Sequence, residues 1–174
     1  MRTLRYHVAS TLDGFIAKMN GSFDCFPGEG EHVDDYLESL KTYDAVVMGR
    51  KTYEVALKGG VTDPYPHMRS IVFSRSMKRS PDPHVELVAS HADRFVRELK
   101  QQPGGDIYLC GGAELATQLF DAGLVDEVLV KLSPLLLGSG IPLILGLDTH
   151  IDLELTTTRT YDSGVILLGY RVKN

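Results

Sequence analysis

Short apolar runs alternate with segments of helical periodicity along most of this chain, and that alternation is its strongest constraint on fold. Strands are predicted at residues 4–10, 45–48, 70–74, 85–89, 106–110 and 127–132. Helices are predicted at 32–42, from Lys51 to Gly59, after a capping box at 90–93, and from 113 to Gly123. Strands that alternate with helices predict an α/β fold with a doubly wound, mostly parallel central sheet flanked by helices.

The end of the chain departs from this alternation. Residues 152–160 and 165–172 are rich in Leu, Thr, Val and Ile, and the turn Asp162-Ser163-Gly164 separates them. This pattern predicts an antiparallel hairpin at the edge of the sheet. Residues 134–146 are apolar but interrupted by glycine and proline, so a packed loop is expected there. We therefore expect one domain spanning 1–174.

Composition excludes several classes of function. Hydrophobic residues make up 43% of the chain and charged residues 24%, which is ordinary for a globular protein. A net charge of −5 argues against a general nucleic-acid binder. No apolar stretch is long enough for a membrane helix, and the first strand begins too close to Met1 for a signal peptide. The two cysteines form no metal-like cluster, so we expect a reduced, cytoplasmic protein.

A glycine follows the apolar run 45–48 and leads directly into a helix that begins with the residues Arg-Lys-Thr. Such a turn brings backbone N–H groups and the positive end of a helix dipole to the end of a strand. With two basic side chains and a hydroxyl beside them, the expected ligand is an anion, most plausibly a phosphate. A plain strand-to-helix turn with solvated basic residues is the alternative interpretation.

Two further strand ends are also candidates for binding an anion. Gly111-Gly112 follows a strand and precedes a helix, which lets a pyrophosphate approach the backbone, unless the glycines serve tight packing alone. Glu114 would repel a phosphate, so it is expected to point away or to bind a neutral group. Ser74-Arg75 could hold a terminal phosphate, with a solvated loop arginine as the alternative. Because the carboxyl ends of parallel strands share one rim, the three sites together favour an extended ligand with separate phosphates, and NADPH meets that description.

Three carboxylic acids are candidates for proton transfer: Asp13, beside this rim, and Asp34 or Asp35 at the start of the first predicted helix. An acid that is partly buried can have a raised pKa and protonate a ring nitrogen as hydride arrives. The alternatives are a turn-forming role for Asp13 and a helix-capping role for Asp34. The six histidines show no metal-ligand spacing, and most are expected at the surface.

The motifs at 10–17, 48–54, 72–75, 111–115, 123–127 and 134–143, in this order, resemble the dihydrofolate reductase superfamily. The similarity is greatest to the reductase domain of the bifunctional riboflavin-pathway deaminase-reductase. The chain has no tryptophan, whereas dihydrofolate reductases usually carry Pro-Trp in the first loop, and it lacks the zinc-deaminase motif. The resemblance therefore implies a lone domain similar to 5-amino-6-(5-phosphoribosylamino)uracil reductase, and not a true dihydrofolate reductase.

This resemblance also implies how the ligands bind. Ala9 and Ile16 would lie near the nicotinamide of NADPH, and Asp13 would face the substrate or the cofactor ribose. A homodimer is expected as well, helped by the apolar 134–147 segment and the terminal hairpin. The residues implied to hold the cofactor are Gly49, Arg50, Lys51 and Thr52 at the phosphates, Ser74 and Arg75 at the adenosine 2′-phosphate, and Gly111, Gly112, Ala113, Glu114 and Leu115 at the pyrophosphate.

The function predicted from the sequence is NADPH-dependent reduction of a small heterocycle, pyrimidinone or pterin-like, or of a related carbonyl or imine. A non-catalytic NADP(H)- or nucleotide-binding module is the main alternative, because cofactor residues are better represented than an acid. A weaker alternative is an enzyme of another class that acts on a sugar phosphate or nucleotide.

Overall fold

An eight-stranded sheet forms the centre of the computed structural model, which describes residues 1–173. A second, two-stranded sheet lies beside it. The strands are β1 (Leu4–Thr11), β2 (Phe15–Ala17), β3 (Tyr43–Gly49), β4 (Arg69–Phe73), β5 (Val85–Val88), β6 (Asp106–Gly111), β7 (Glu127–Ser133), β8 (Ile141–Pro142), β9 (Leu153–Thr160) and β10 (Ile166–Val172). The helices are α1 (Glu31–Leu40), α2 (Arg50–Lys58), α3 (Ala92–Gln101) and α4 (Ala113–Asp121).

The strand order in the large sheet is β5-β4-β3-β6-β1-β7-β10-β9. Every pair from β5 to β7 is parallel, whereas β10 is antiparallel to both β7 and β9. This confirms the predicted doubly wound, mostly parallel sheet with an antiparallel C-terminal hairpin. Strand β6 returns between β1 and β3, so the carboxyl ends of these three neighbours meet at one rim.

Hydrophobic side chains pack against both faces of the sheet, which explains why β3 and β6 are mostly apolar along their length. One core joins Tyr6 and Leu109 of the sheet to Val96 of α3 and Leu119 of α4. On the other face, Val46, Met48 and Tyr108 pack with side chains of α1 and α2. Burial on both faces is typical of a parallel sheet, because its crossover helices must cover each side.

The sequence prediction missed the two-stranded sheet. Strand β2 pairs antiparallel with β8, which lies in the 134–146 segment where a packed loop was expected. Segments this short have no measurable periodicity, and their pairing depends on the close approach of two distant loops. At this contact a Cβ atom on Gly140 would collide with the carbonyl oxygen of Ala17.

The predicted capping box before α3 is wrong. The helix begins at Ala92, and the residue before it, His91, has a φ of 55°, in the left-handed region. No side chain caps this helix end. Because His91 occupies the N-cap position, Ser90 lies one residue too early for its hydroxyl to bond the first turn.

Strand β9 forms one edge of the large sheet, and all eight of its residues are exposed. Its Leu153 and Leu155 are 41% and 55% exposed. The sheet therefore ends in a strand whose outer backbone groups have no neighbouring strand within residues 1–173.

None of the helices within residues 1–173 has the length and apolarity needed to span a bilayer.

Candidate functional site

Two helices begin side by side at the rim of the sheet. Helix α2 starts at Arg50, directly after β3 ends at Gly49, and α4 starts two residues after β6 ends at Gly111. Strands β3 and β6 are neighbours, and their register pairs Met48 with Gly111. The N-termini of both helices therefore open at the same place, where their dipoles add positive potential.

Neither of these helix ends is capped by a side chain. The N-cap residues are Gly49 and Gly112, and no side-chain hydrogen bond from the described residues 1–173 satisfies either first turn. The first N–H groups of a helix have no partner within the helix, so they need water, a side chain or a ligand. A pair of uncapped N-termini is well suited to bind an anion.

Glycines keep the space between the two helix starts open. A Cβ atom on Gly112 would lie 3.4 Å from the hydroxyl oxygen of Thr52, and one on Gly49 would lie 3.8 Å from the backbone nitrogen of Gly112. Gly111 has a φ of 114°, a conformation that side chains rarely adopt. The structure thus brings together Gly49, Thr52, Gly111, Gly112 and Leu115, five residues predicted from separate parts of the sequence.

The charged side chains at this place are partly engaged with one another. Lys51 Nζ lies 3.3 Å from Glu114 Oε1, and both side chains are largely exposed. Glu114 therefore faces a lysine, which reduces its repulsion of an anion, although such an exposed pair adds little stability. Arg50 Nη1 contacts Glu54 Oε1 at 2.7 Å within α2. The other guanidinium nitrogens of Arg50 do not take part in this contact.

Ser74 and Arg75 follow β4 and differ in their availability. Ser74 is buried, and its Oγ accepts a hydrogen bond of 2.9 Å from the backbone N–H of Met77. The serine hydroxyl thus stabilises the turn after the strand. Arg75 is exposed and makes no ion pair with any residue between 1 and 173. The guanidinium is the more accessible of the two groups for an anion.

The environment of Asp13 contradicts the predicted raised pKa. Its carboxylate accepts hydrogen bonds from the Thr11 hydroxyl at 2.6 Å and from the backbone N–H groups of Leu137 and Gly138. The Thr11 contact, with the two backbone contacts, lowers the pKa of Asp13 to about 2. These bonds favour the charged carboxylate, so Asp13 anchors the 134–140 loop and is poorly suited to donate a proton.

Asp35 and Asp34 lie on different sides of α1. Asp35 Oδ2 accepts a hydrogen bond of 2.7 Å from the Tyr161 hydroxyl and lies 2.5 Å from Arg159 Nη1. It therefore joins α1 to the C-terminal hairpin. Asp34 is exposed and does not cap the helix, whose N-cap is Gly30. Neither acid is held in the partly buried, unpaired state expected of a proton donor.

A second group of side chains lies on and beside the sheet face covered by α1. The sequence prediction named Ala9 and Ile16 of this group but missed His7, Tyr36 and Lys131. Lys131 of β7 pairs across the sheet with Ala9 of β1, and its Nζ lies 4.2 Å from the centre of the Tyr36 ring. His7 is 3% exposed, and burial lowers its pKa to about 3. Ala9, Tyr36 and Lys131 are half-buried, as is Ile16 in β2. Strand alternation could place His7 and Lys131 on one face, but it could not show that a helix covers it.

The comparisons with known proteins agree with this architecture. A family model described as RibD C-terminal domain matches residues 2–167. The uncharacterized protein YwjB of Bacillus subtilis (strain 168) is 36% identical over 164 residues, 92% of this chain and 93% of that protein. The crystal structure of a putative riboflavin biosynthesis protein from Shewanella sp. PV-4 superposes over 100% of both chains with a TM-score of 0.85 and 24% identity.

Dihydrofolate reductase from Enterococcus faecalis, complexed with NADP(H) and RAB-propyl, has the same fold. Its TM-score is 0.74 at 18% identity, over 99% of this chain and 97% of that one. At such low identity the two solved structures establish the fold and nothing finer. Because the family model spans nearly all the described residues, the chain belongs to the family of RibD C-terminal domains, on a fold like that of dihydrofolate reductase.

Proposed function

We propose that this protein is an NADPH-dependent reductase that transfers hydride to a small planar heterocycle or a related carbonyl or imine. The observation that carries the proposal is the pair of uncapped helix N-termini, α2 and α4, that open side by side at the rim. Membership of the RibD C-terminal domain family supports a reductase-type activity. The NADP(H) bound to a dihydrofolate reductase of the same fold supports the choice of cofactor.

The residues at the rim fit a dinucleotide with separated phosphates. The backbone N–H groups after Gly49 and Gly112 would receive the pyrophosphate, because the glycines leave room for close approach. Arg75, exposed and without an ion-pair partner among the described residues, would bind the 2′-phosphate through charge-assisted hydrogen bonds. Ala9 and Ile16 would line the nicotinamide side.

When bound, NADPH supplies the hydride, and the protein supplies binding, orientation and electrostatics. Gly49 and Gly112 keep the helix ends accessible, while the Asp13 carboxylate holds the 134–140 loop beside β1. The half-buried face formed by Ala9, Tyr36 and Lys131 would receive the flat substrate. Holding two reactants in the correct orientation can itself provide much of the rate enhancement.

Replacement of Arg75 tests the cofactor. We expect NADPH to bind the wild type more tightly than NADH, and Arg75→Ala to weaken NADPH binding about tenfold or more while leaving NADH binding unchanged, since one charged hydrogen bond contributes about 1.5–3 kcal/mol. Fluorescence titration measures both constants. Arg94→Ala, which removes an exposed arginine of α3, is the matched control. Equal affinity of the wild type for the two cofactors would contradict the proposal.

A non-catalytic NADP(H)-binding module is the second candidate. It is favoured by the carboxylates, because Asp13 and Asp35 are engaged in hydrogen bonds and Asp34 faces solvent. Loss of absorbance at 340 nm with a panel of pyrimidinones and dihydropterins supports an enzyme. Tight NADPH binding without oxidation across that panel supports the binding module.

We also propose that two copies associate as a homodimer. Strand β9 supports this proposal, since its outer edge and its exposed Leu153 and Leu155 offer a surface for strand pairing. Light scattering at micromolar concentration measures the mass directly, and a monomer would contradict the proposal.

A cytoplasmic location remains a prediction, consistent with the two free cysteines, Cys25 and Cys110.

A further inference from the structure

The rim of the sheet has a second side, away from the starts of α2 and α4. Ile166, at the start of β10, pairs with Leu132 near the carboxyl end of β7, so the turn between β9 and β10 lies at the rim. The Tyr161 hydroxyl beside this turn donates to Asp35, which brings the first half of α1 to the same place. We call this region the substrate side, and it consists of residues 11–14, 29–36, 131–140 and 159–165.

Acidic residues outnumber basic ones on the substrate side. Its four segments carry six acids and only two basic residues, Lys131 and Arg159. The acids are Asp13, Glu29, Glu31, Asp34, Asp35 and Asp162. Asp13 and Asp34 are exposed, and neither makes an ion pair with a residue in the range 1–173. An anionic ligand would therefore meet charges of its own sign here.

The two basic side chains do not balance this charge. Arg159 contacts the carboxylates of both Glu31 and Asp35, so its single positive charge is shared between two acids. The Lys131 Nζ atom lies 4.2 Å from the centre of the Tyr36 ring, whose face attracts the ammonium group. One unshared ammonium is left to oppose the remaining acids, so the substrate side stays negative overall.

The starts of α1 and α2 differ in the charge of their first turns. Each helix has a glycine at the N-cap and no side-chain cap from the described residues. Helix α2 begins with Arg50 and Lys51, which add to the attraction of the helix dipole for an anion. The first turn of α1 instead carries Glu31 and Asp34, which meet the dipole from within the chain. The start of α1 therefore repels the kind of anion that the start of α2 is suited to bind.

Two exposed leucines also lie on the substrate side. Leu12 is 63% exposed and Leu136 is 71% exposed. The backbone N–H of Leu12 donates to the carbonyl oxygen of Leu135 at 2.9 Å, so the turn after β1 and the loop after β7 lie together. Leucine side chains donate no hydrogen bond to a phosphate, and they favour contact with an uncharged part of a ligand.

We propose that the substrate side takes a ring compound without a phosphate group, and that Glu31 and Asp34 exclude phosphorylated substrates by charge repulsion. This inference rests on the proposed function, since it assumes that the reducible ring lies beside Ala9. A phosphate monoester carries about two negative charges at neutral pH, and both would face the acidic start of α1. The substrate would thus differ from the phosphoribosyl compound that the sequence resemblance implies.

The test compares two ligands that differ only in a phosphate. Uridine and uridine 5′-monophosphate are titrated by calorimetry into the NADP⁺-loaded protein, so that the phosphate-binding rim is already occupied. We expect the wild type to bind uridine about tenfold more tightly than the monophosphate, because the contact of like charges is strongly unfavourable. The double variant Glu31→Gln with Asp34→Asn should bind the two ligands within about threefold of each other, since the repelling charges are gone.

Salt provides a readout that a merely structural role of these acids would not change. The Debye length falls from about 10 Å at 0.1 M ionic strength to about 3 Å at 1 M, so added salt screens the repulsion. The preference of the wild type for uridine should therefore shrink at the higher salt concentration. A site that binds the phosphate through cations would show the opposite trend, because salt would weaken the binding of the monophosphate.

Matched controls separate the possible failures. Glu38→Gln removes an exposed acid near the other end of α1 and should leave the ratio of the two affinities unchanged. If the double variant does not fold, judged by circular dichroism, Asp34→Asn alone replaces it and should still narrow the ratio. A wild type that binds the monophosphate as tightly as uridine, or that binds neither ligand, overturns the inference. Intact NADPH binding without a preference for uridine contradicts this inference alone, whereas a failure to bind NADPH contradicts the proposed function as well.

Discussion

The two sides of the rim are built in different ways. The proposed cofactor side consists of backbone groups and glycines at the starts of α2 and α4, where each helix follows its strand almost directly. On the proposed substrate side the groups are side chains from separate elements, such as Tyr36 of α1 and Lys131 of β7. The geometry of the first side is local to two strand-to-helix turns, whereas the second side depends on which side chains the fold brings together.

The largest effect is expected from filling the gap on the cofactor side. Gly112→Val places a branched side chain beside Thr52, where a Cβ atom alone would lie 3.4 Å from the hydroxyl oxygen. We expect NADPH binding to weaken about 100-fold, equivalent to about 2.8 kcal/mol, because the side chain occupies the space of the phosphate. Fluorescence titration measures the change.

The matched control for this variant is Gly146→Val. A Cβ atom on Gly146 would contact nothing within 4 Å, and the neighbouring Leu145 bonds to Thr117 in the middle of α4. Its NADPH affinity should equal that of the wild type. If Gly112→Val kept wild-type affinity, the cofactor side would not depend on the open gap, and the contrast between the two sides would fail.

An intermediate effect is expected on the substrate side from Tyr161→Phe. This change removes the hydroxyl that donates to Asp35, although Asp35 retains its contact with Arg159. We expect a loss of about 1–2 kcal/mol in the free energy of unfolding, measured with urea, because a hydrogen bond to a charged group is lost. NADPH affinity should stay within twofold of the wild type, since α1 and the hairpin lie outside the cofactor side.

Tyr170→Phe provides the comparison for that substitution. The hydroxyl of Tyr170 makes no side-chain hydrogen bond to another residue in the range 1–173. Equal destabilisation by the two changes would show that the contact with Asp35 does not join α1 to the hairpin. A large loss of NADPH affinity in Tyr161→Phe would instead show that the two sides of the rim are coupled.

The smallest effect concerns the loop that Asp13 anchors. The folded protein lowers the pKa of Asp13 to about 2 from its ordinary 3.8, so its stabilising effect is complete above pH 4 and is lost as the pH falls toward 2. We expect Asp13→Asn to melt at a lower temperature than the wild type above pH 4, with a difference that narrows toward pH 2. Asp152→Asn, an exposed control, should show no such trend. A difference independent of pH would contradict the anchoring role.

Much of the fold was predictable because its signals are local. The parallel sheet, its covering helices and the terminal hairpin follow from apolar periodicity and from turn residues such as Gly164. The pairing of β2 with β8 was missed because it depends on the meeting of two distant loops. Most of the histidines lie at the surface, as predicted, but His7 and His32 are each 3% exposed, and isolated histidines carry no sign of what packs over them.

The candidate site, like the fold, has features with a local sequence signal and features that depend on residues far apart in the chain. Gly49 and Gly112 were predicted as site residues because each stands between a predicted strand and a predicted helix. The need for a glycine at such a turn can be inferred from the neighbouring residues. Asp13 was predicted as a proton donor with a raised pKa, but its pKa is lowered, because its carboxylate accepts hydrogen bonds from the Thr11 hydroxyl and from the backbone N–H groups of Leu137 and Gly138 in a distant loop. A pKa depends on three-dimensional neighbours, which composition and spacing do not reveal.

By itself, the sequence determined the α/β class, the rim at the carboxyl ends of the parallel strands and the glycine-bounded helix starts. These features arise from interactions within a few residues, such as strand alternation and backbone freedom at glycine. The tertiary structure alone decided that Lys131 lies beside Ala9 without a counter-ion among residues 1–173, that Asp35 belongs to the hairpin contact and that Asp13 stays charged. Charge and burial at these side chains depend on strand register and on the packing of α1, and both are set by contacts between residues far apart in the chain.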